Sequence, residues 1–274
     1  MIHQAALKHL GLGGNYRCFP VEPLPKGEDA LEKVLDQMRA GELHGLNVTL
    51  PHKETVIVRL DRLTTTAGRI GAVNTIFIEG TELVGDNTDE EAFLLDLETT
   101  LAPEKQSALV LGAGGAARAV VSGLNYAGWK VWVAARRISQ AEDLAEALEH
   151  PGKLPILPIL FESEAIRGVV RSEVTLIVNS TPVGMAPDVD ASPWPKEIPF
   201  PDRARVYDLV YTPRHTQLTR EARAAGLGAV TGMGMLVEQA ALAFECWTSR
   251  SAPRQAMHEA SKKAIEEFQQ RGGS

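Results

Sequence analysis

The chain has 274 residues, 44% hydrophobic and 23% charged, enough apolar material for one core and room for two. A formal net charge of −7 with no compensating basic tract excludes a nucleic-acid partner as the working expectation. Cys18 and Cys246 have no CxxC or metal-ligand spacing, so they read as reduced thiols of a cytoplasmic protein without bound metal, and the apolar run Leu154 to Phe161 is far too short to cross a bilayer.

The chain opens with Ile2, Ala5, Ala6, Leu7 and Leu10 at helical spacing, ended by Gly11, so a helix and not a signal peptide is expected there. Tyr16 to Val21 reads as a strand, about Gly27 to Ala40 as a helix, and Leu46 to Leu50 as a strand leading into Pro51-His52-Lys53. Val73 to Ile78 and Leu83 to Gly85, joined at Glu79-Gly80, suggest a hairpin, and a helix follows from about Glu90 to Leu101. Ala102-Pro103 then marks a domain boundary.

From Ser107 the pattern changes to strands alternating with helices. Ser107 to Leu111 is a continuous apolar strand, followed by a helix to about Ala127, a strand at Lys130 to Ala134 and a helix at Ile138 to Glu149. Val174 to Val178 and Arg205 to Val210 are further strands, with a Pro-rich surface excursion from Pro187 to Pro201 between them. Met235 to Phe244 and about Arg254 to Gln269 are helical. The alternation predicts a two-domain α/β protein whose second domain is a Rossmann-like doubly wound sheet. The expected division is 1–101 for substrate binding and catalysis, 102–233 for a dinucleotide, and 234–274 for helices returning to the first domain.

Between the first strand of that sheet and its helix lies Gly112-Ala113-Gly114-Gly115-Ala116-Ala117. The motif is weak alone, but its strand–helix context gives it meaning. Gly112 allows the tight turn, Gly114 lets the backbone approach a pyrophosphate, and Ala117 lets helix and strand pack closely. The helix N-terminus, with Gly115 and Ala116, offers N–H groups to the phosphates. At the end of the second strand, where an NAD enzyme places an acid, the chain has Arg136-Arg137. Two guanidiniums suit a 2′-phosphate, so NADP is the expected cofactor; the plainer alternative is a pair of solvated arginines.

Lys53 alone would pass for a surface lysine, although Pro51 fixes the φ of the turn that carries it. The ordered set Asn47-Val48-Thr49-Leu50-Pro51-His52-Lys53, Gly71-Ala72-Val73-Asn74-Thr75 and Asn87-Thr88-Asp89 changes that reading. After the glycine loop come Asn179-Ser180-Thr181-Pro182-Val183-Gly184-Met185, Tyr207-Asp208-Leu209-Val210-Tyr211-Thr212-Pro213 and Gly232-Met233-Gly234-Met235-Leu236-Val237-Glu238-Gln239. Over nearly its whole length the chain resembles the shikimate dehydrogenase family. The resemblance implies NADPH-dependent, reversible reduction of 3-dehydroshikimate to shikimate, a step towards chorismate and the aromatic amino acids. It makes Lys53 and Asp89 the catalytic pair, with Lys53 as proton donor. It assigns Thr49, Asn74 and Gln239 to ring hydroxyls, and Tyr211 to the substrate–nicotinamide junction in a cleft between the domains. To the cofactor set of Gly112, Ala113, Gly114, Gly115, Ala116 and Arg136 it adds Thr181, Val210 and Gly232, whereas Arg137 rests on its chemistry alone. His52 is expected to serve the turn and not the reaction. A monomer or homodimer is expected.

Two departures stand out. The family opens with a strand and a Ser-x-Ser-Pro motif that binds the substrate carboxylate, whereas this chain starts at Met1-Ile2-His3-Gln4-Ala5, which resembles the following helix. The expectation is a natural protein roughly 20 residues longer at its start; the alternative is a short protein with weakened carboxylate binding. Glu90 and Glu91 also stand where the family often has glycines. The competing functions are a quinate/shikimate dehydrogenase using NAD and a non-catalytic small-molecule-binding paralogue.

Overall fold

The computed structural model describes residues 1–171 and 174–270, and its chain divides into two compact units. The first comprises Met1–Thr88 and Gln239–Ala260, the second Asp89–Glu238 with the segment from Ser261 onward.

The first unit begins with helices α1 (Ile2–His9) and α2 (Glu28–Arg39), then strand β1 (Gly45–Asn47) and the single-turn helix α3 (His52–Thr55). Strand β2 (Arg62–Leu63), helix α4 (Thr65–Ile70) and the hairpin β3 (Thr75–Glu79) and β4 (Glu82–Asp86) complete it. The four strands lie in the order β1-β3-β4-β2, with β1, β3 and β4 antiparallel and β2 parallel to β4. Helix α2 buries Leu31, Val34, Leu35 and Met38, a stripe at i, i+3, i+4 and i+7. The stripe joins a core with Val48, Val56, Val73, Ile76 and Leu83, each buried side chain stabilising the unit by about 1.5–3 kcal/mol relative to exposure.

Residues 16–21 do not form the expected strand. A strand needs a ladder for its N–H and C=O groups, and this segment pairs with no strand among the described residues. Tyr16 is held instead from its N–H to Gln4 Oε1 at 3.1 Å and from its hydroxyl to Asn47 Oδ1 at 3.1 Å. The hairpin turn falls at Gly80-Thr81, one residue later than its composition suggested, because Glu79 pairs with Glu82.

The second unit contains α5 (Asp89–Thr100), β5 (Ser107–Leu111), α6 (Gly115–Tyr126), β6 (Lys130–Ala135), α7 (Ile138–Ala147), β7 (Ile156–Leu160), α8 (Ser163–Val170), β8 (Val174–Asn179), β9 (Arg205–Asp208), α9 (Gln217–Ala224) and β10 (Ala229–Thr231). The division between units falls within α10 (Met233–Thr248) and α11 (Arg254–Gln270). The six strands are all parallel, in the order β10-β9-β8-β5-β6-β7, so the order reverses between β8 and β5. This is the doubly wound sheet expected from the sequence, with its switch point beside the glycine loop.

Several elements, β7, α8, α9 and β10 among them in this unit, escaped the pattern reading. Strand β7 lies in the proline-bearing run; it pairs only with β6, so Pro158 sits on an edge strand where a missing N–H is tolerated. The short α9 and β10 lack a long periodic stretch. The Pro-rich segment 187–201 is no simple surface excursion: Trp194 and Ile198 are buried in the core with Leu218 and Ala222, and Trp194 Nε1 donates to the Ile198 carbonyl at 2.8 Å. No helix among the described residues is long and apolar enough to cross a membrane.

Candidate functional site

In the first unit, the expected proton donor sits on α3 and Thr49 lies on the exposed segment leading to it. The Thr49 carbonyl accepts from the His52 N–H at 2.9 Å, closing the turn. His52 is buried, with Nε2 3.0 Å from the Val21 carbonyl; since a carbonyl only accepts, Nε2 carries the proton. His52 therefore anchors the turn. Lys53 is half-buried, and its carbonyl accepts from the Val73 N–H at 2.7 Å.

That bond places the lysine turn beside Asn74. Asn74 is buried at 2% exposure, its backbone bracketed by Val48 N–H to its carbonyl (2.8 Å) and its own N–H to the Asp86 carbonyl (3.0 Å). Its side chain pairs twice with Thr88: Oδ1 accepts the Thr88 N–H at 2.9 Å and Nδ2 donates to Thr88 Oγ1 at 3.0 Å. Thr88 Oγ1 in turn donates to the carbonyl of Gln239 at 3.0 Å, joining positions 151 apart in sequence. Lys53, Asn74 and Gln239 are thus brought into one hydrogen-bonded neighbourhood. The turn before Thr88 is fixed by Asn87 Nδ2 to the Ala72 carbonyl (2.9 Å) and by Thr64 bonding Asp86. The Gln239 part of α10 is held to the sheet by Trp247, whose Nε1 donates to the Ile76 carbonyl at 3.1 Å. A Cβ on Gly45 would lie 2.1 Å from Trp247 Cδ1, so only glycine fits beneath that ring.

In the second unit, Asp89 is the first residue of α5 and is 9% exposed. Every expected cofactor residue lies at the carboxyl end of a parallel strand or in the segment that follows. Gly112 has φ +108°, and a Cβ there would meet Ser180 Oγ at 2.7 Å, so both space and conformation require glycine. Ser180 Oγ donates to the Leu111 carbonyl at 2.8 Å, pinning the loop after β8 to the end of β5. Gly114 is the N-cap of α6 with open space around the position of a Cβ, and of the next two residues Gly115 is half-buried and Ala116 exposed. Ala113 is half-buried beside them. Arg136 and Arg137 follow β6 and are both exposed. Gly232 packs so tightly that a Cβ would lie 2.4 Å from the Leu209 carbonyl oxygen. Tyr211 is 40% exposed.

A polar pair lying inside the sequence motifs, but without an expected role there, organises two of these loops. Asn179 and Asp208, both fully buried, end β8 and β9. Asn179 Oδ1 accepts from Thr181 N–H at 3.0 Å and Thr181 Oγ1 at 2.7 Å. Asp208 Oδ1 accepts from Asn179 Nδ2 at 2.8 Å and Val210 N–H at 3.1 Å, and Oδ2 accepts from Thr216 Oγ1 at 2.6 Å. Burial pushes the Asp208 carboxyl up to about 6 against these three bonds, which favour the charged form. A polar residue closing a strand was the available signal for both, and for Thr88 its position between Asn87 and Asp89.

Residues 1–76 match the family model of the shikimate dehydrogenase substrate binding domain, and residues 232–260 match that of the shikimate 5′-dehydrogenase C-terminal domain. A shikimate dehydrogenase (NADP(+)) of Salinibacter ruber is 44% identical over 264 residues, covering 94% of this chain and 90% of its own. The crystal structure of shikimate 5-dehydrogenase from Thermus thermophilus in complex with NADP(H) and shikimate has a TM-score of 0.82 and 40% identity, over 96% of this chain and 93% of that one. Quinate dehydrogenase from Corynebacterium glutamicum in complex with NAD has a TM-score of 0.86 at 29% identity, over 96% and 93% of the two chains.

Proposed function

This chain belongs to the shikimate dehydrogenase family, and on that premise we propose that it reduces 3-dehydroshikimate to shikimate, reversibly, with NADPH, in the biosynthesis of chorismate and the aromatic amino acids. The observation that carries the reading is the hydrogen-bonded neighbourhood of Lys53, Asn74 and Gln239, gathered from three separate segments through Val73 and Thr88.

Lys53 donates the proton to the ketone oxygen as its carbon becomes an alcohol, and in the reverse direction takes it back. Asp89 supplies the carboxylate of the catalytic pair and bonds a ring hydroxyl next to the reacting carbon. Thr49, Asn74 and Gln239 bind hydroxyls without adding charge, so a ring lacking them leaves the buried Asn74 amide unsatisfied, and discrimination can reach roughly 10⁴-fold. Tyr211 is the fourth substrate-binding side chain.

The second unit suits NADP by two features: a glycine turn open at Gly114 ahead of a twelve-residue helix, and two exposed arginines where an NAD enzyme carries an acid. Gly112, Ala113, Gly114, Gly115 and Ala116 would hold the pyrophosphate, Arg136 and Arg137 the 2′-phosphate, and Thr181, Val210 and Gly232 the nicotinamide end. When bound, NADPH supplies the hydride to the ketone carbon. We place the enzyme in the cytoplasm, a reducing compartment that suits two cysteines without disulfide spacing, as a monomer or homodimer. The test is to mix the chain with shikimate and NADP⁺, or NAD⁺, and follow absorbance of the reduced cofactor. Turnover with NADP⁺ well above that with NAD⁺ supports the reading; turnover with neither would sink it.

A further inference from the structure

Thr88 belongs to none of the assigned roles, yet it is the hub of the substrate neighbourhood. Its N–H can only donate, so the atom 2.9 Å away must be the Asn74 carbonyl oxygen, and this fixes which way the amide points. Nδ2 then faces Thr88 Oγ1 at 3.0 Å and gives it one of its two hydrogens. The threonine hydroxyl has a single proton and two acceptors within reach, Gln239 O at 3.0 Å and Asn74 Oδ1 at 3.2 Å. The nearer one completes a relay from Asn74 Nδ2 through Thr88 to Gln239, while Oδ1 keeps the Thr88 N–H.

The second Nδ2 hydrogen of Asn74 has no partner among the described residues, although Asn74 is 2% exposed. A buried donor left unpaired is costly, and a bound hydroxyl oxygen would relieve that cost. We propose that Thr88 is a positioning residue for substrate recognition: it locks the Asn74 amide so that an N–H is presented to a ring hydroxyl, which must therefore accept, and ties the backbone of Gln239 to the same point. Shikimate-like polyols, whose hydroxyls can accept and donate at once, fit this demand. The proposal rests on Asn74 and Gln239 being substrate ligands.

The experiment compares Thr88→Val, Thr88→Ser, Asn74→Ala and the double variant Asn74→Ala/Thr88→Val, measuring KM for shikimate and NADP⁺ together with kcat. Thr88→Val should raise the shikimate KM about 10- to 100-fold, the size expected for one or two lost hydrogen bonds, and leave the NADP⁺ KM within about threefold. Thr88→Ser, which keeps the hydroxyl, should recover most of the loss. In the Asn74→Ala background the valine change should add clearly less than it does alone, because only its tie to Gln239 is left to lose. Should the valine variant not fold, Thr88→Ala removes the same hydroxyl and gives the same comparison. An unchanged shikimate KM in Thr88→Val, or fully additive effects in the double variant, overturns the positioning role. If Asn74→Ala itself leaves shikimate KM unchanged, the assignment of Asn74 as a substrate ligand has failed instead, and the proposal falls with it.

Discussion

The carbonyl of Lys53 accepts from the N–H of Val73 at 2.7 Å, and Val73 immediately precedes Asn74. The turn carrying Lys53, the proposed proton donor, and the segment carrying Asn74 into β3 are therefore fixed to each other by backbone. A side chain held this way can be removed without dismantling the site. Lys53→Ala should lower kcat by about 10²- to 10⁴-fold, the range for loss of a positioned acid, while the shikimate dissociation constant moves less than about tenfold. Stopped-flow turnover and calorimetric binding of shikimate give the two numbers. A loss confined to binding would make Lys53 an anchor and not an acid.

Arg136 and Arg137 are exposed at the end of β6, where nothing in the fold requires a cation. Arg136→Ala should raise the KM for NADP⁺ by about 10-fold or more and leave that for NAD⁺ nearly unchanged, since only the former carries the extra phosphate that a guanidinium can hold by two parallel bonds. Steady-state kinetics with both cofactors decides it. Equal rises would defeat the 2′-phosphate assignment.

The opening β5–α6–β6 stretch of the second unit was the most legible part of the sequence, and the reason is local. Ser107–Leu111 is bounded by the glycine turn, so the strand observed has the limits expected for it. Residues 16–21 carry a strand-like composition but depend on a partner strand, which no local pattern supplies. Pro158 is tolerated in β7 because that strand lies at the edge of the sheet, a position no local pattern reveals. The motif residues of the site were visible as types and order. What stayed hidden was their wiring: Thr88 matters because of Gln239, 151 positions away, and Asp208 because of Asn179 and Thr216.

Gly112 tests the loop by shape. Its φ of +108° is rarely adopted by other residues, and an added methyl would press on Ser180 Oγ at 2.7 Å and Thr181 Cγ2 at 3.0 Å. Gly112→Ala should destabilise the protein by about 1–3 kcal/mol and weaken NADP⁺ binding by tenfold or more, because the residues that must yield are on the adjoining loop proposed to hold the cofactor. Thermal unfolding and cofactor titration are the measurements. A variant with native stability and affinity would show that the turn adapts freely.

Asp208 gives a pH signature with a defined sign. In the folded chain its carboxyl titrates at about 6 against an ordinary value of 3.8, chiefly because it is buried. Between those two values the folded state holds a proton that the unfolded state has lost. The group's contribution to stability is thus fully present below about 3.8 and is lost as pH rises through 6. The gap corresponds to about 3 kcal/mol as an order of magnitude. Asp208→Asn cannot titrate and keeps the shape of the side chain. The unfolding midpoint of the native protein minus that of the variant should therefore increase steadily as pH is lowered from 7 to 4. His3, which burial holds down to about 4, acts with the opposite sign but is common to both proteins and cancels in the difference. A difference that stays flat or shrinks on acidification would mean that Asp208 is already charged at little cost, its bonds to Asn179, Val210 and Thr216 having offset its burial.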